Sequence, residues 1–469
     1  MTSSRFSAIA LALDLGTTSI KAGLLDQLGA LTSIVALPAP EIFAHDMRDA
    51  RYYESNALLY ATTAERVLAQ CFDQSPSTLS LGLCSQRSSF LIWAKTSGQP
   101  LTPLISWQDN RGGTACEILR PSENVIRDLT GLRLTPYYFA PKLRVVLEDH
   151  PEWRSQIERG ELLVGTLDTF LIWRWSSGRH YITDASMAAR TLLMDIQQHQ
   201  WSPKLCQLFN IPLHILPQIR PSSDMNLQLD NGLILQASLG DQSAALIGSV
   251  TKDSAALVNL GTGGFVIRYL PEKINPPDGY LRTLIYQDPT RHAHIAIEGT
   301  LNSIAAALAP YPVSECRLED LGTNNIFCVA EPSGIGAPYF RKDLGLHFSE
   351  PVAHLSQQQI ATLLLEAIIF RVTRILEDFH RASPLQRVYL SGGLSELACL
   401  QHGIAQCVPF DVYRLPQKES SLQGAALLAA GITTEQNRPQ EKIVPIPSLH
   451  ALSAKYQRWN DWFDILLDS

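Results

Sequence analysis

The first apolar run of the chain, Ala10-Leu11-Ala12-Leu13, stops at Asp14, passes through Leu15-Gly16-Thr17-Thr18, and resumes as Ile20-Lys21-Ala22-Gly23-Leu24-Leu25. The same order of polarity returns in the second half: Ala256-Leu257-Val258, then Asn259, then Leu260-Gly261-Thr262-Gly263-Gly264 and Phe265-Val266-Ile267. An apolar run closed by a polar residue and turn formers predicts a buried strand, a tight turn and a returning strand, made twice. Turns of Gly, Thr and Ser carry little bulk and offer backbone N–H groups and hydroxyls, so phosphate oxygens are the obvious guest. Two such turns half a chain apart predict two similar domains serving one polyphosphate.

Between these hairpins the spacing of apolar positions predicts helices over 56–71, 141–149 and 166–175, and strands over 78–84, 90–93 and 104–107. A strand over 233–237 runs into a Gly-Asp turn and a helix of small residues, and the domain boundary is expected just after it, near Gly248. The second half repeats the plan, with a strand over 295–299, a helix over 356–380, a strand over 388–390 and the turn Ser391-Gly392-Gly393. The small-residue stretch 421–428 predicts a helix lying close against another element. The expected division is 1–248, 249–435 and a tail, 436–469, that packs back on the body through the apolar positions of 459–467.

A length of 469 residues suits two domains of about 200 residues each. With 45% hydrophobic and 18% charged residues the composition is that of an ordinary globular protein. The formal net charge of −7, with no basic run, argues against a nucleic-acid partner. No apolar stretch is long enough to span a membrane and no leader pattern opens the chain, which together predict no membrane association and a cytoplasmic protein. The 8 cysteines form no C-x-x-C pair and no zinc spacing, and read as buried free thiols. A homo-oligomer is compatible with the sequence, which sets no oligomeric state.

The P-loop, the dinucleotide G-x-G-x-x-G, H-E-x-x-H and G-x-S-x-G are all absent. Two acidic residues remain at strand ends. Asp14 before its turn is either a turn cap or a carboxylate facing a hydrated Mg²⁺, an ion that takes few carboxylates and relies on phosphates and water. Asn259, at the equivalent place in the second hairpin, lacks the charge. Asp241 in Gly240-Asp241-Gln242 is either a helix N-cap or a base accepting a proton from an alcohol that attacks a γ-phosphate.

Taken together these residues resemble the FGGY carbohydrate kinases of the actin/Hsp70/sugar-kinase ATPase fold, glycerol kinases most closely. The resemblance spans nearly the whole chain. It is carried by Asp14-Leu15-Gly16-Thr17-Thr18, Ser106-Trp107-Gln108-Asp109-Asn110-Arg111, Thr183-Asp184, Gly240-Asp241-Gln242-Ser243-Ala244-Ala245, Leu260-Gly261-Thr262-Gly263 and Gln423-Gly424-Ala425-Ala426. It implies an α/β fold of two ribonuclease H-like, actin-like ATPase domains with a central cleft. It further implies an ATP- and Mg²⁺-dependent kinase of a small polyol or sugar. By position, Asp241 would be the general base with Gln242 beside it, and Asp14 would hold Mg²⁺ through water. Thr17, Thr18 and Lys21 would face the β- and γ-phosphates, with Gly261 and Thr262 doing so from the other domain. Gly392 and Gly393 would border the adenosine, and Arg87, Trp107, Tyr137 and Phe265 would line the acceptor pocket.

Glycerol kinases carry a Glu after the Gln-Arg pair where this chain has Ser88. Losing a charged acceptor from a small site costs about 1.5–3 kcal/mol, or ten- to a hundredfold in binding. Ser88 also leaves room, so the expected substrate is larger than glycerol or different from it. After Gly393 the chain reads Leu394-Ser395-Glu396, without the polar residues usual on the adenine side, which bears on nucleotide choice. The alternative to a kinase is a nucleotide-binding sensor or scaffold of the same fold; a third reading is a kinase run mainly as an ATPase.

Overall fold

The computed structural model describes residues 8–47, 50–72, 80–250, 253–271, 274, 276–415, 419–432 and 440–469. The first two residues of the strand expected over 78–84, and 436–439 of the expected tail, lie outside these. The chain divides into two compact units. One comprises Met1–Gly248, Thr283–Ile295 and Glu419–Arg438; the other comprises Ser249–Arg282, Ala296–Lys418 and Pro439–Ser469.

In the first unit the hairpin of Ala8–Leu15 and Ser19–Asp26 is antiparallel, with Asp14 opposite Lys21 across the turn. Leu31–Pro38 extends it on one side. On the other, Ser80–Ser85 and then Ile234–Gly240 pair in parallel, placing Asp14 beside Cys84 and Leu239 beside Cys84 in turn. Leu11, Leu13 and Leu15 bury one face against Tyr60, Ala64 and Val67 of the helix Ala57–Phe72. A second sheet in this unit includes Ala50–Ser55, Phe90–Ala94 and Leu162–Thr166, over the core of Phe90, Phe139 and Leu143.

The second unit repeats the plan. The hairpin of Ala255–Leu260 and Gly264–Tyr269 is antiparallel, with Asn259 opposite Phe265. Ala293–Leu301 extends it antiparallel, while Arg387–Ser391 and Asp411–Arg414 add in parallel, with Asn259 beside Ser391. The order of three antiparallel and two parallel strands is thus the same in both sheets, and the predicted α/β class holds. The long helix Gln357–Ala382 opens with a capping box between Ser356 and Gln359 and is buried along most of its length. The C-terminal helix His450–Asp468 is longer than its apolar pattern predicts, and buries Tyr456, Trp459 and Phe463 in the same core. Trp459 donates its indole N–H to the Cys328 carbonyl at 2.9 Å, and Lys455 pairs with Glu366 at 2.5 Å, both fully buried.

One helix from the expected second domain, 249–435, lies in the first compact unit. The helix Ser420–Ala429 packs with the first unit, where Leu422, Ala425 and Ala426 meet Ala10, Ala12, Cys84 and Ala237. This contact depends on small residues, as the 421–428 pattern predicted. A Cβ built on Gly424 would lie 1.8 Å from the Ala244 carbonyl oxygen, closer than any real contact. Gly424→Val is therefore expected to lower stability by about 3 kcal/mol or more in denaturant unfolding, through overpacking against backbone that cannot move aside.

Candidate functional site

The strand end at Asp14, the turn after it and the turn after Ser80–Ser85 bring the first unit's chemistry together. Asp14 is half-buried as a residue, yet its Oδ1 is out of solvent with no hydrogen-bond partner. The carboxyl pKa is raised to about 7, first by burial and then by the negative charge of Asp241, against the opposing pull of the Cys84 thiol and Lys21. A buried carboxyl oxygen with no partner, beside a second carboxylate, fits a cation. Among the described residues no cluster of three or more His, Cys, Asp or Glu side chains forms a ready-made metal cage. A single carboxylate with an unpartnered oxygen fits Mg²⁺, which binds few carboxylates and completes its shell with water and phosphate. Lys21, expected to face phosphates, is instead engaged by Glu419 at 2.6 and 2.8 Å. A phosphate would have to compete with that carboxylate. Thr18 is exposed, and Thr17 is half-buried.

Asp241 opens the helix Asp241–Ser249, and its Oδ1 accepts from the Gln242 N–H at 2.7 Å. Arg87 lies across it, with Nε 3.5 Å from Asp241 Oδ1 and its guanidinium hydrogen-bonded to Gln242 Oε1. The arginine can lie there because residue 240 is glycine: a Cβ would come within 2.8 Å of Arg87 Cδ. Behind this turn, the buried Asp184 accepts from the Ser186 and Met187 N–H groups and from Ser222 Oγ. Ser186 Oγ in turn accepts from Gly240 N–H at 2.9 Å, so the backbone leading to Asp241 is fixed from below. Burial raises the Asp184 carboxyl to about 7.

Ser88 is buried in the left-handed region at φ 63°, and its hydroxyl donates to the Arg190 carbonyl at 3.2 Å. Its own carbonyl and that of Ser106 both accept from Lys142 Nζ at 2.8 Å. Among the described residues no carboxylate is hydrogen-bonded to this fully buried amine, and burial lowers it to about 7. Trp107 is 40% exposed and lies in a turn pinned by Asp109, which takes the Tyr53 N–H and the Arg111 guanidinium, each at 2.8 Å. Tyr137 is half-buried with its ring 4.5 Å from that of Tyr138.

In the second unit, Gly261 donates its N–H to the Gly263 carbonyl at 2.9 Å, closing the turn and leaving Thr262 exposed at its tip. The Gly261 amide is therefore spent inside the turn. Phe265 is half-buried, and Gly392 and Gly393 are exposed after the strand Arg387–Ser391. Ser395 turns its hydroxyl to the Gly392 carbonyl at 2.7 Å.

Sequence reasoning passed over Tyr60, Gln86, Ser89, Lys142 and Asp184 as functional supports. Gln86 is legible beside Arg87, but Tyr60 carries no signal beyond its place on the apolar face of a helix. A cavity of about 620 Å³ lined by Glu65, Leu68, Phe72, Arg174 and Trp175 touches none of the candidate residues. No helix among the described residues is long and apolar enough to cross a membrane.

Two family models match adjoining stretches of the chain: the N-terminal domain of the FGGY family of carbohydrate kinases over residues 9–255 and the C-terminal domain over 256–431. A glycerol kinase of Shewanella baltica is 30% identical over 445 residues, 89% of each chain. Among solved structures, Plasmodium falciparum glycerol kinase with ADP superimposes with a TM-score of 0.85 at 21% identity, covering 98% of this chain and 99% of that one. A xylulose kinase from Rhodospirillum rubrum gives 0.80 at 19% identity, covering 97% and 98%.

The raised Asp14 pKa has a consequence for stability. Above about pH 7 the folded protein carries an ionised, buried Asp14 that the unfolded chain ionises at no cost; as pH falls from about 7 towards 4 the folded form takes up its proton and the penalty shrinks. Asp14→Asn is thus expected to melt above the parent at pH 8 without added metal, by a margin on the order of 2–4 kcal/mol that closes by pH 4. Equal melting temperatures across that range would rule out a buried, ionised Asp14.

Proposed function

Since the chain belongs to the FGGY family of carbohydrate kinases, phosphotransferases with an alcohol acceptor, we propose that Asp241 is the general base for transfer from ATP to a polyol or sugar larger than glycerol. The observation that carries this reading is the neighbourhood of Asp241. It stands at a helix start, is oriented by Arg87 and Gln242, and is close enough to Asp14 for its charge to raise that carboxyl. Transfer of a phosphoryl group asks for in-line placement and neutralised charge more than for covalent help.

The chain's own groups would divide that work. Asp241 accepts the proton of the attacking hydroxyl, while Arg87 and Gln242 bind neighbouring hydroxyls and hold the carboxylate in place. Trp107, Tyr137 and Phe265 offer dry contacts to C–H faces. Thr17 and Thr18 donate to phosphate oxygens, and Lys21 joins them on leaving Glu419. Thr262 serves phosphate from the second hairpin through its exposed tip, and Gly392 and Gly393 leave space for the adenosine. Bound at Asp14 through water, Mg²⁺ would neutralise phosphate charge.

Ser88 bears on the size of the acceptor. Its hydroxyl proton is spent on the Arg190 carbonyl, so it presents a neutral oxygen as acceptor where glycerol kinases present a carboxylate, and its small side chain takes little room. A tetritol, pentitol or ketopentose suits such a site better than glycerol.

ADP release with Mg-ATP, measured against glycerol, erythritol, pentitols, ketopentoses and a heptulose, tests the reading. One acceptor larger than glycerol is expected to give strong turnover, and Asp241→Asn to lower kcat by about 10²–10⁴ with the fold intact. Nucleotide binding without turnover on any of them would favour a sensor instead. Ser88→Glu is expected to improve use of glycerol by about ten- to a hundredfold in kcat/KM; no gain would sink the account of Ser88.

A further inference from the structure

Trp107 is more than an apolar wall. Its indole Nε1 donates to Thr17 Oγ1 at 3.0 Å, the hydroxyl that follows Gly16 in the first turn. Its backbone N–H donates to Ser89 Oγ at 2.9 Å, and Ser89 Oγ donates to Gln86 Oε1 at 2.8 Å. Gln86 Nε2 donates to Tyr60 OH at 2.8 Å, and Tyr60 donates to the Gly16 carbonyl. These bonds close a circuit, Gly16–Tyr60–Gln86–Ser89–Trp107–Thr17, with Tyr60, Gln86 and Ser89 buried. One side of it is the turn of residues 16–17; the other is the turn that carries Arg87 and Ser88.

A threonine hydroxyl has one proton and two lone pairs. With the indole N–H occupying a lone pair, the proton of Thr17 is free to point away from Trp107. We propose that Trp107 is a positioning residue for phosphate: its indole orients the Thr17 hydroxyl as a donor to a nucleotide phosphate oxygen. The acceptor wall and the phosphate turn are thereby mechanically one part. The proposal rests on the kinase reading for the ligands it names, but its signature lies in binding and does not need turnover. Donation into a hydroxyl that itself donates to an anion strengthens both bonds, so the contributions of Trp107 and Thr17 are not independent.

The test is a double-mutant cycle on the full chain, read by calorimetric titration with the magnesium complex of AMP-PNP, an ATP analogue that does not transfer its phosphate. Thr17→Val removes the donor to phosphate and is expected to weaken binding about tenfold; Trp107→Phe keeps an aromatic wall, removes the indole N–H, and is expected to weaken it about three- to tenfold. The double variant is expected to bind no more weakly than Thr17→Val alone, and Thr17→Ser, which keeps the hydroxyl, to bind as the parent does. In turnover, Trp107→Phe is expected to raise the KM for ATP severalfold and by more than it raises the acceptor KM, a split that general loosening of the fold would not produce. Trp107→Phe is on a partly exposed residue, and unchanged melting of each variant excludes unfolding as the cause. Parent-like nucleotide binding by Trp107→Phe, or losses that multiply in the double variant, overturns the proposal. Non-additive binding in a chain that phosphorylates no acceptor upholds it and sinks the kinase reading; strong turnover with multiplying losses does the reverse.

Discussion

A carboxyl group held out of water at the end of a strand, with an oxygen no protein group satisfies, sets the terms for the first unit. Desolvating Asp14 is costly, and its neighbours do not fully compensate: Cys84 and Lys21 favour the charge, while burial and Asp241 oppose it. A fold optimised only for stability would put a neutral side chain there, as the second hairpin does with Asn259 in the matching register. The cost is understandable if the missing partner is a cation that arrives with the nucleotide. The surrounding charges follow the same logic, since Lys21 is parked on Glu419 and Arg87 on Asp241 and Gln242, so that no cation fills the place beforehand.

Positioning is achieved by backbone groups and small residues more than by bulky packing. Lys142 reaches two carbonyls, one from each acceptor-side turn, and Asp184 secures Gly240 through Ser186. The absence of a side chain at 240 admits Arg87, and at 424 it admits the carbonyl of Ala244. These contacts are rigid because backbone cannot rotate away as a side chain can. Chemistry of phosphoryl transfer, which depends on alignment, suits such a frame.

Much of the fold was readable from pattern. Alternation and apolar runs located both hairpins because their strands are central and buried, and 3.6-residue spacing located the helices Ala57–Phe72 and Gln357–Ala382. The strands Leu31–Pro38 and Phe43–Met47 escaped notice: they are largely solvent-facing, so their sequences carry no sustained apolar period. At the site, Asp14 and Asp241 were legible because an acidic residue at the end of an apolar strand, next to a glycine turn, is unusual, whereas Arg87 and Trp107 came only through the resemblance to the FGGY kinases. Tyr60 and Lys142 were not, since each sits on a helix whose buried face would accept an apolar residue equally well.

The sequence by itself determined the repeated strand-turn-strand plan, the two-unit α/β class, the acidic residues at strand ends and the substitution of Ser at 88. These follow from local polarity and spacing, which act within a few residues. Only the tertiary structure decided that residues 420–429 join the first unit, that Lys21 meets Glu419 almost 400 residues away, that the Gly261 amide is spent within its own turn, and that Trp107 donates to Thr17. Those are matters of which surfaces meet once apolar faces are buried, and a side chain's partner across such a contact leaves no period in the chain to be read.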